Sequence, residues 1–351
     1  MHPFQCAGSG CYDHLSLVLR AEMRRRDLVR YVSGVTAWLG CVLVAPATVR
    51  AQKRVPVVGI LIFGSAGNPR DIGFVRELAA IGYVEGRNIN YAVYAADGAI
   101  DRLPKLAREI VALSPDVVVG SGSQVAHALG EIPSNIPVVM TVVGDPITLG
   151  LSNSMSTPSR NFTGFTNSSA SLAAKRLELL RDLVPGARKV AYLWAPESPM
   201  TTARGEQARA AARALGIELV PLPIMSDADL PVAFTLAEKE RVEAVLVESD
   251  SLIVRLSNDI IDECLVRDLP AMHAWPFEVR AGALISYGPA VAENYPGAAN
   301  YVDRILRGAK VADLPFQEPT QIKLAINLRT ARSIKIAVPP SLLARADEVI
   351  E

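Results

Sequence analysis

Residues able to do chemistry are sparse in this chain. Neither a G-x-S-x-G elbow nor a G-x-x-x-x-G-K-[ST] loop occurs in its 351 residues. The common activated serine and the Walker phosphate cradle are therefore excluded. Beyond residue 51 the only imidazoles are His127 and His273. His127 falls inside a predicted helix, on its surface. His273 ends a predicted strand, where it could meet a ligand. No His, Cys, Asp or Glu cluster has metal-ligand spacing, so neither metal nor cofactor is expected. The charged helix "TTARGEQARAAARALG" reads as a solvated face.

The loop Gly120-Ser121-Gly122-Ser123 has a strand before it and a helix after it. It looks like a dinucleotide loop but lacks the third glycine of that fingerprint, and it follows the third strand of its unit rather than the first. A tight turn with Ser123 as helix N-cap accounts for it. The same helix start, with its free N–H groups, could also receive a carboxylate. Among the aromatics, Trp194 ends one predicted strand and Trp275 follows another. Magnitudes make stacking the larger source of affinity. A helix N-terminus supplies about 0.3–1 kcal/mol, whereas burying ~150 Å² of aromatic surface supplies roughly 4 kcal/mol.

The elements that must position these residues alternate strand and helix from residue 54 on, the pattern of a parallel α/β sheet. Strands are predicted at Val57–Phe63, Asn88–Tyr94, Asp116–Gly120, Pro137–Val142, Lys189–Trp194, Ile217–Leu222, Ala244–Val247 and Leu269–Met272. The last four echo the first four. "LPKLAREIVALSPDVVVGSGS" aligns with "LPVAFTLAEKERVEAVLVESD" at an offset of 127, and "VVGILIF" with "KVAYLWA" at an offset of 132. Two similar doubly wound lobes follow. Ligands of such sheets bind beyond the carboxyl ends of the strands. Those ends carry Gly64-Ser65, Ser121–Ser123 and Gly144-Asp145 in the first copy. In the second they carry Ala195–Ser198, Glu248–Asp250 and His273–Trp275. Facing lobes would bring all six loops to one cleft, with Ser121 and Ser123 opposite Glu248 and Asp250.

The chain carries 36 basic and 36 acidic residues. That balance argues against a nucleic-acid partner. Three of the four cysteines precede residue 42, leaving Cys264 as a packing residue with no internal disulfide partner. Arg24–Arg26, an apolar run broken by Gly34, Gly40 and Pro46, and Val49-Arg50-Ala51 form an export signal. Residues 23–51 are assigned to that signal, using the Sec or the twin-arginine route, and residues 1–22 to an extension ahead of Met23. Trp38–Cys41 is a poor lipobox.

The arginine-led segment Arg24–Gln52 is followed in order by "GYVEGRNI", "DRLPKLAREIVALSPDVVV", "GDPITLGL", "KRLELLRDLVPGARKVAYL", "ARALGIEL", "LISYGP" and "VPPSLLARADEVIE", over residues 24–351 in all. Together they resemble the ABC-transporter substrate-binding family related to tryptophan-binding proteins. The resemblance implies the type I periplasmic-binding fold, two lobes joined by a three-segment hinge. It also implies a periplasmic monomer that passes a small ligand to an inner-membrane permease, without catalysis. A sensor presenting its closed form to a receptor, or a two-lobed enzyme, are the alternatives. Lobe one is expected to span 54–162 and 286–318, and lobe two 163–285 and 319–351. Crossings are expected near 160–166, 281–288 and 317–325, with Gly164, Gly282 and Gly288 absorbing the hinge motion. The resemblance implies a ligand that is an amino acid or an aromatic or carboxylate compound, since relatives bind aromatic or other amino acids. By that likeness Ser65, Ser121, Ser123 and Thr166 are candidate carboxylate donors, and Asp145, Glu197 or Asp250 candidate partners of an α-ammonium. Gly64, Trp194, Glu248, Trp275 and Tyr287 complete the expected cleft. Trp194-Ala195-Pro196-Glu197 stands where relatives often carry Asn-Pro, so the ligand is expected to differ from theirs.

Overall fold

Val, Ile and Leu dominate the strands of the computed structural model, which describes residues 54–65, 73–167 and 172–351. The export signal, the extension ahead of it and Cys41 lie outside the described residues. Residues 55–351 form one unit containing two sheets.

The first sheet is built from β1 (Val57–Ile62), β2 (Asn90–Ala95), β3 (Val117–Ser121), β4 (Val138–Val143) and β5 (Phe162–Thr166). Its order is β2-β1-β3-β4-β5, parallel throughout. Helices α1 (Gly73–Ala80), α2 (Leu103–Ala112) and α3 (Ser123–Gly130) come from the same stretch. The second lobe follows with α4 (Ala173–Leu183), β6 (Lys189–Trp194), α5 (Thr201–Leu215), β7 (Glu218–Pro223), α6 (Asp229–Glu240), β8 (Ala244–Val247), α7 (Ser251–Arg255), α8 (Ser257–Val266), β9 (Ala271–His273), α9 (Pro276–Ala281) and β10 (Ile285–Pro289). The chain then returns to lobe one for α10 (Asn294–Leu306). It finishes in lobe two with β11 (Ile322–Asn327), α11 (Leu328–Ser333), α12 (Pro340–Leu343) and β12 (Glu348–Ile350). The second sheet runs β12-β11-β10-β9-β8-β6-β7. Its β10–β11 pair is antiparallel, because β11 enters from the opposite lobe.

Successive strand residues face opposite sides, and both sides are covered. Val58, Ile60, Val117 and Val119 pack under α1 and α10, while Leu61, Val118 and Met140 pack under α2 and α3. In lobe two Val190, Tyr192 and Leu246 meet α4 and α5, and Ala191, Leu193 and Val245 meet α6 and α8. Each fully buried Val, Leu or Ile contributes about 1.5–3 kcal/mol, which explains the near-continuous apolar runs. Cys264 belongs to the second of these layers, and burial pushes its thiol up to about 12.

The lobe boundaries differ from those expected. Residues 162–166 are a strand of the first sheet, hydrogen-bonded to β4, and 285–289 a strand of the second. Gln317 still pairs beside β5, since Thr166 N–H donates to its carbonyl at 2.8 Å. The lobes are thus connected after Asn167, through 290–293 and through 318–321, the last two shorter segments than the sequence suggests. None of the three proposed hinge glycines lies on them. Gly164 has φ 139°, and a Cβ there would sit 2.1 Å from the Met140 carbonyl, so it serves the β4–β5 pairing. Gly282 caps the C-terminus of α9. At Gly288 a Cβ would sit 1.9 Å from the Ala274 carbonyl, a close approach of backbones within lobe two.

Candidate functional site

The strand ends of the two lobes enclose a cavity of about 520 Å³. From lobe one, β1 delivers Phe63 and Gly64, and β3 delivers Ser121, Gly122, Ser123 and Gln124. From lobe two, β8 delivers Ser249, Asp250 and Ser251, and β9 delivers Trp275, with Phe277 two residues on. Tyr295 at the start of α10 and Asn167 on the first connection close the sides.

The turn after β3 works differently from expectation. Gly122, at φ 96°, is the N-cap of α3 and supplies no side-chain bond. Ser123 is already helical, and its Oγ accepts from Gly144 N–H at 3.1 Å, tying the β3 and β4 ends together. The first intrahelical bond runs from Ala126 to the Gly122 carbonyl. The N–H groups of Ser123 and Gln124 therefore precede any helical acceptor at the cavity wall. A Cβ on Gly122 would meet Ser251 Oγ at 2.5 Å, and one on Gly144 would meet Met200 Cγ at 2.7 Å. Lobe one thus offers bare backbone where lobe two lands. Across the same wall, Gln124 Nε2–H donates to Asp250 Oδ2 at 2.7 Å.

Lobe two brings the larger side chains. Trp275 and Phe277 lie nearly parallel, 6.4 Å between centroids, and Trp275 is only 5 % exposed. Its backbone N–H donates to Glu278 Oε2 at 3.0 Å, which fixes the start of α9. Asp250 caps α7 through Leu252 N–H at 2.9 Å. Arg255 forks onto Asp227. That hydrogen bond raises the guanidinium's pKa and lowers the carboxylate's. Arg204 lines the cavity at 3 % exposure and donates to the Ser249 carbonyl.

Several expected contacts are placed elsewhere. Glu248 is buried with both oxygens engaged, one by Tyr192 Oη–H and one by Ser249 N–H, each at 2.8 Å. Burial, and then the charge of Glu248, raises the Tyr192 pKa. Asp145 is exposed and accepts from Ile147 N–H at 2.8 Å and from the Thr148 hydroxyl at 3.0 Å, so it caps its own turn. Trp194 stacks on Tyr192, 6.1 Å between centroids, against the lobe-two core and away from the cavity. Ser65 is exposed, Thr166 is buried in β5, and neither lines the cavity. Tyr287 packs on the lobe-two core and accepts through its carbonyl from Arg176 Nε at 2.7 Å. His273 is fully buried 3.3 Å from Glu278, not at the cavity surface. Glu197 borders a separate cavity of about 240 Å³. Beneath these groups lies Arg176, wholly buried; burial depresses its pKa, against the charges of Glu248 and Glu278.

Sequence reasoning missed Gln124, Asn167, Arg204, Phe277 and Tyr295. For Arg204 a signal existed. Arg204, Ala208 and Ala212 recur at i, i+4, i+8, one helix face, and both alanines are buried. The helix taken as solvated turns this arginine inward.

A cleft between two doubly wound lobes, lined from the carboxyl ends of both sheets, defines a two-lobed small-molecule-binding protein. The family model for ABC transporter substrate binding proteins matches residues 44–350. The chain belongs to that family. It is 24% identical over 262 residues to a tyrosine-binding protein of Clostridioides difficile (strain R20291), covering 75% of each. Among solved structures, a conserved domain protein from Vibrio cholerae superposes with a TM-score of 0.78 at 26% identity, over 84% of this chain and 100% of that one. An ABC domain from Streptococcus pneumoniae in complex with L-Trp gives 0.75 at 23% identity, over 84% and 99%. Among the described residues no helix is long and apolar enough to cross a membrane.

Proposed function

We propose that the chain captures a small zwitterion bearing an aromatic or large apolar side chain outside the cytoplasmic membrane and delivers it to an ABC permease. One observation carries the ligand class: an aromatic pair, Trp275 with Phe277, and the polar start of α3 line one cavity of about 520 Å³. That size suits a single small molecule. The relatives named for tyrosine and for L-Trp support an aromatic amino acid. Ligand contacts from both lobes favour the closed arrangement and shift the population toward it, and the permease would read that arrangement. The arginine-led apolar segment before residue 52 supports export, and the balanced charge supports a partner other than nucleic acid. No catalytic step is needed.

A thermal-shift screen of the full chain tests the ligand class, with aromatic amino acids, branched amino acids, aromatic acids and purines as panel. A ligand at a hundred times its Kd adds about 2.7 kcal/mol to native stability. The expected result is a raised midpoint with L-tyrosine or L-tryptophan. A rise with purines alone, or with no amino acid, would contradict the reading.

A further inference from the structure

At one end the interlobe cavity adjoins the smaller one of about 240 Å³. Four residues border both: Phe63 and Gln124 from lobe one, Asp250 and Arg255 from lobe two. Three of them are fixed where they stand. Phe63 packs in the lobe-one core, Gln124 donates to Asp250 at 2.7 Å, and Asp250 caps α7. Arg255 is different. It is the last residue of α7, its side chain is 28 % exposed, and its guanidinium sits at the end of a long flexible stem.

Two contacts hold that stem. The guanidinium forks onto Asp227, one arm at 3.0 Å. The pair by itself is a weak anchor, because Asp227 is 67 % exposed. The stem also crosses to lobe one and lies on the bare Cα of Gly98, where a Cβ would sit 2.5 Å from both Cδ and Nε. Gly98 holds φ 81° and donates its N–H to the Phe63 carbonyl at 2.8 Å, so the crossing point is tied to the end of β1. Asp227 and Gly98 border the smaller cavity and not the larger. Arg255 therefore runs from the wall of the main cavity out across the smaller one.

The end that it closes is the polar one. Gln124, at the start of α3, borders the partition, whereas Trp275 and Phe277 border the main cavity and not the smaller. A zwitterion with its side chain against the aromatic pair has its charged end toward Arg255. A peptide bond and a further residue added at that end would have to pass where the arginine stands. We propose that Arg255 limits the ligand to a free amino acid and excludes its peptides, standing as the end wall between the two cavities. Asp227 and Gly98 position it, one from each lobe. The proposal rests on the reading that the interlobe cavity holds the ligand.

The test is calorimetric titration of the full chain with L-tryptophan, L-tyrosine and L-leucine, each against its dipeptides with a following and with a preceding glycine. Wild type should prefer the free amino acid of whichever set binds by about tenfold or more, the scale on which even one surplus methylene is rejected. Arg255→Ala removes the wall and leaves Asp227 in solvent, so no buried charge is stranded. It should lower the preference by about tenfold, chiefly by raising affinity for the dipeptide with a following glycine. Arg255→Lys keeps a stem across Gly98 and should retain most of the preference. Asp227→Asn loosens the fork alone and should give a smaller fall, which added salt should reproduce in wild type. A preference undiminished in Arg255→Ala, or equal changes for amino acid and dipeptide, would reduce Arg255 to a lobe-to-lobe contact and overturn the proposal. So would a wild type that binds both alike, although the aromatic reading would then stand. Gains confined to dipeptides with a preceding glycine would keep the wall and overturn the placement of the carboxylate at α3. Discrimination seen with leucine alone, and lost in Arg255→Ala, would keep the wall and overturn the aromatic reading. Failure of every ligand to bind would overturn both.

Discussion

The two lobes share one architecture yet treat their strand ends in opposite ways. Lobe one presents bare backbone where lobe two approaches: Gly122 and Gly144 stand opposite Ser251 and Met200, and the N–H groups at the start of α3 line the wall beside the rings of Phe63, Phe74 and Tyr295. Lobe two presents bulk and charge, with Trp275, Phe277, Arg204 and Asp250 at the cavity and Arg176, Glu248 and Glu278 buried beneath it. A duplicated fold has been divided into a lobe that receives its partner on glycines and a lobe that carries the cavity's charged side chains. The difference lies in the residues just past each strand, not in the strands themselves.

The equipped lobe should be the more fragile. Arg176→Met would remove the hydrogen bond from the buried guanidinium to the Tyr287 carbonyl and the positive charge that Glu248 and Glu278 feel, with a hydrogen bond to a charged group alone worth about 1.5–3 kcal/mol. A large fall in the thermal midpoint is expected, and an unchanged midpoint would show that the buried arginine does not hold this lobe together. Next in size is Trp275→Ala. Losing the aromatic wall should weaken ligand binding by roughly 2 kcal/mol or more, read by titration, whereas Trp194→Ala should leave affinity intact. Equal losses would return Trp194 to the cavity wall. The receiving face is tested by Gly122→Ala, which puts a methyl 2.5 Å from Ser251 Oγ. Affinity should fall roughly tenfold, or about 1.4 kcal/mol. Adding Ser251→Ala should recover most of that loss, because the remaining neighbours, Ser251 Cβ and Gln124 Oε1, are 3.7 and 3.8 Å away. The φ of 96° should keep the double variant about 1–2 kcal/mol less stable. Absence of recovery would mean that the close approach at Gly122 does not limit closure.

The two lobes could be read from the repeat alone, because buried parallel strands must be apolar and their spacing survives loop drift. Ser121, Ser123, Gly64, Asp250 and Trp275 were also legible, since strand ends follow directly from strands. What misled was the fate of polar side chains in loops. Asp145 bonds its own turn, as short polar side chains commonly do, and Glu248 turns inward to Tyr192 and Ser249 N–H. Trp194 lies two residues beyond Tyr192 on the same strand face, so it stacks there. The hinge expectation failed because Gly164 and Gly288 serve close strand approaches, which resemble flexibility in a sequence. Gln124 left no local signal: its partner lies 126 residues away on the other lobe.

The most direct measurement is a crystal structure of the protein grown with L-tryptophan or L-tyrosine. The account predicts density for one ligand in the interlobe cavity, its ring against Trp275 and Phe277 and its carboxylate toward the start of α3. Ligand bound outside that cavity, or an empty cavity at saturating ligand, would contradict it.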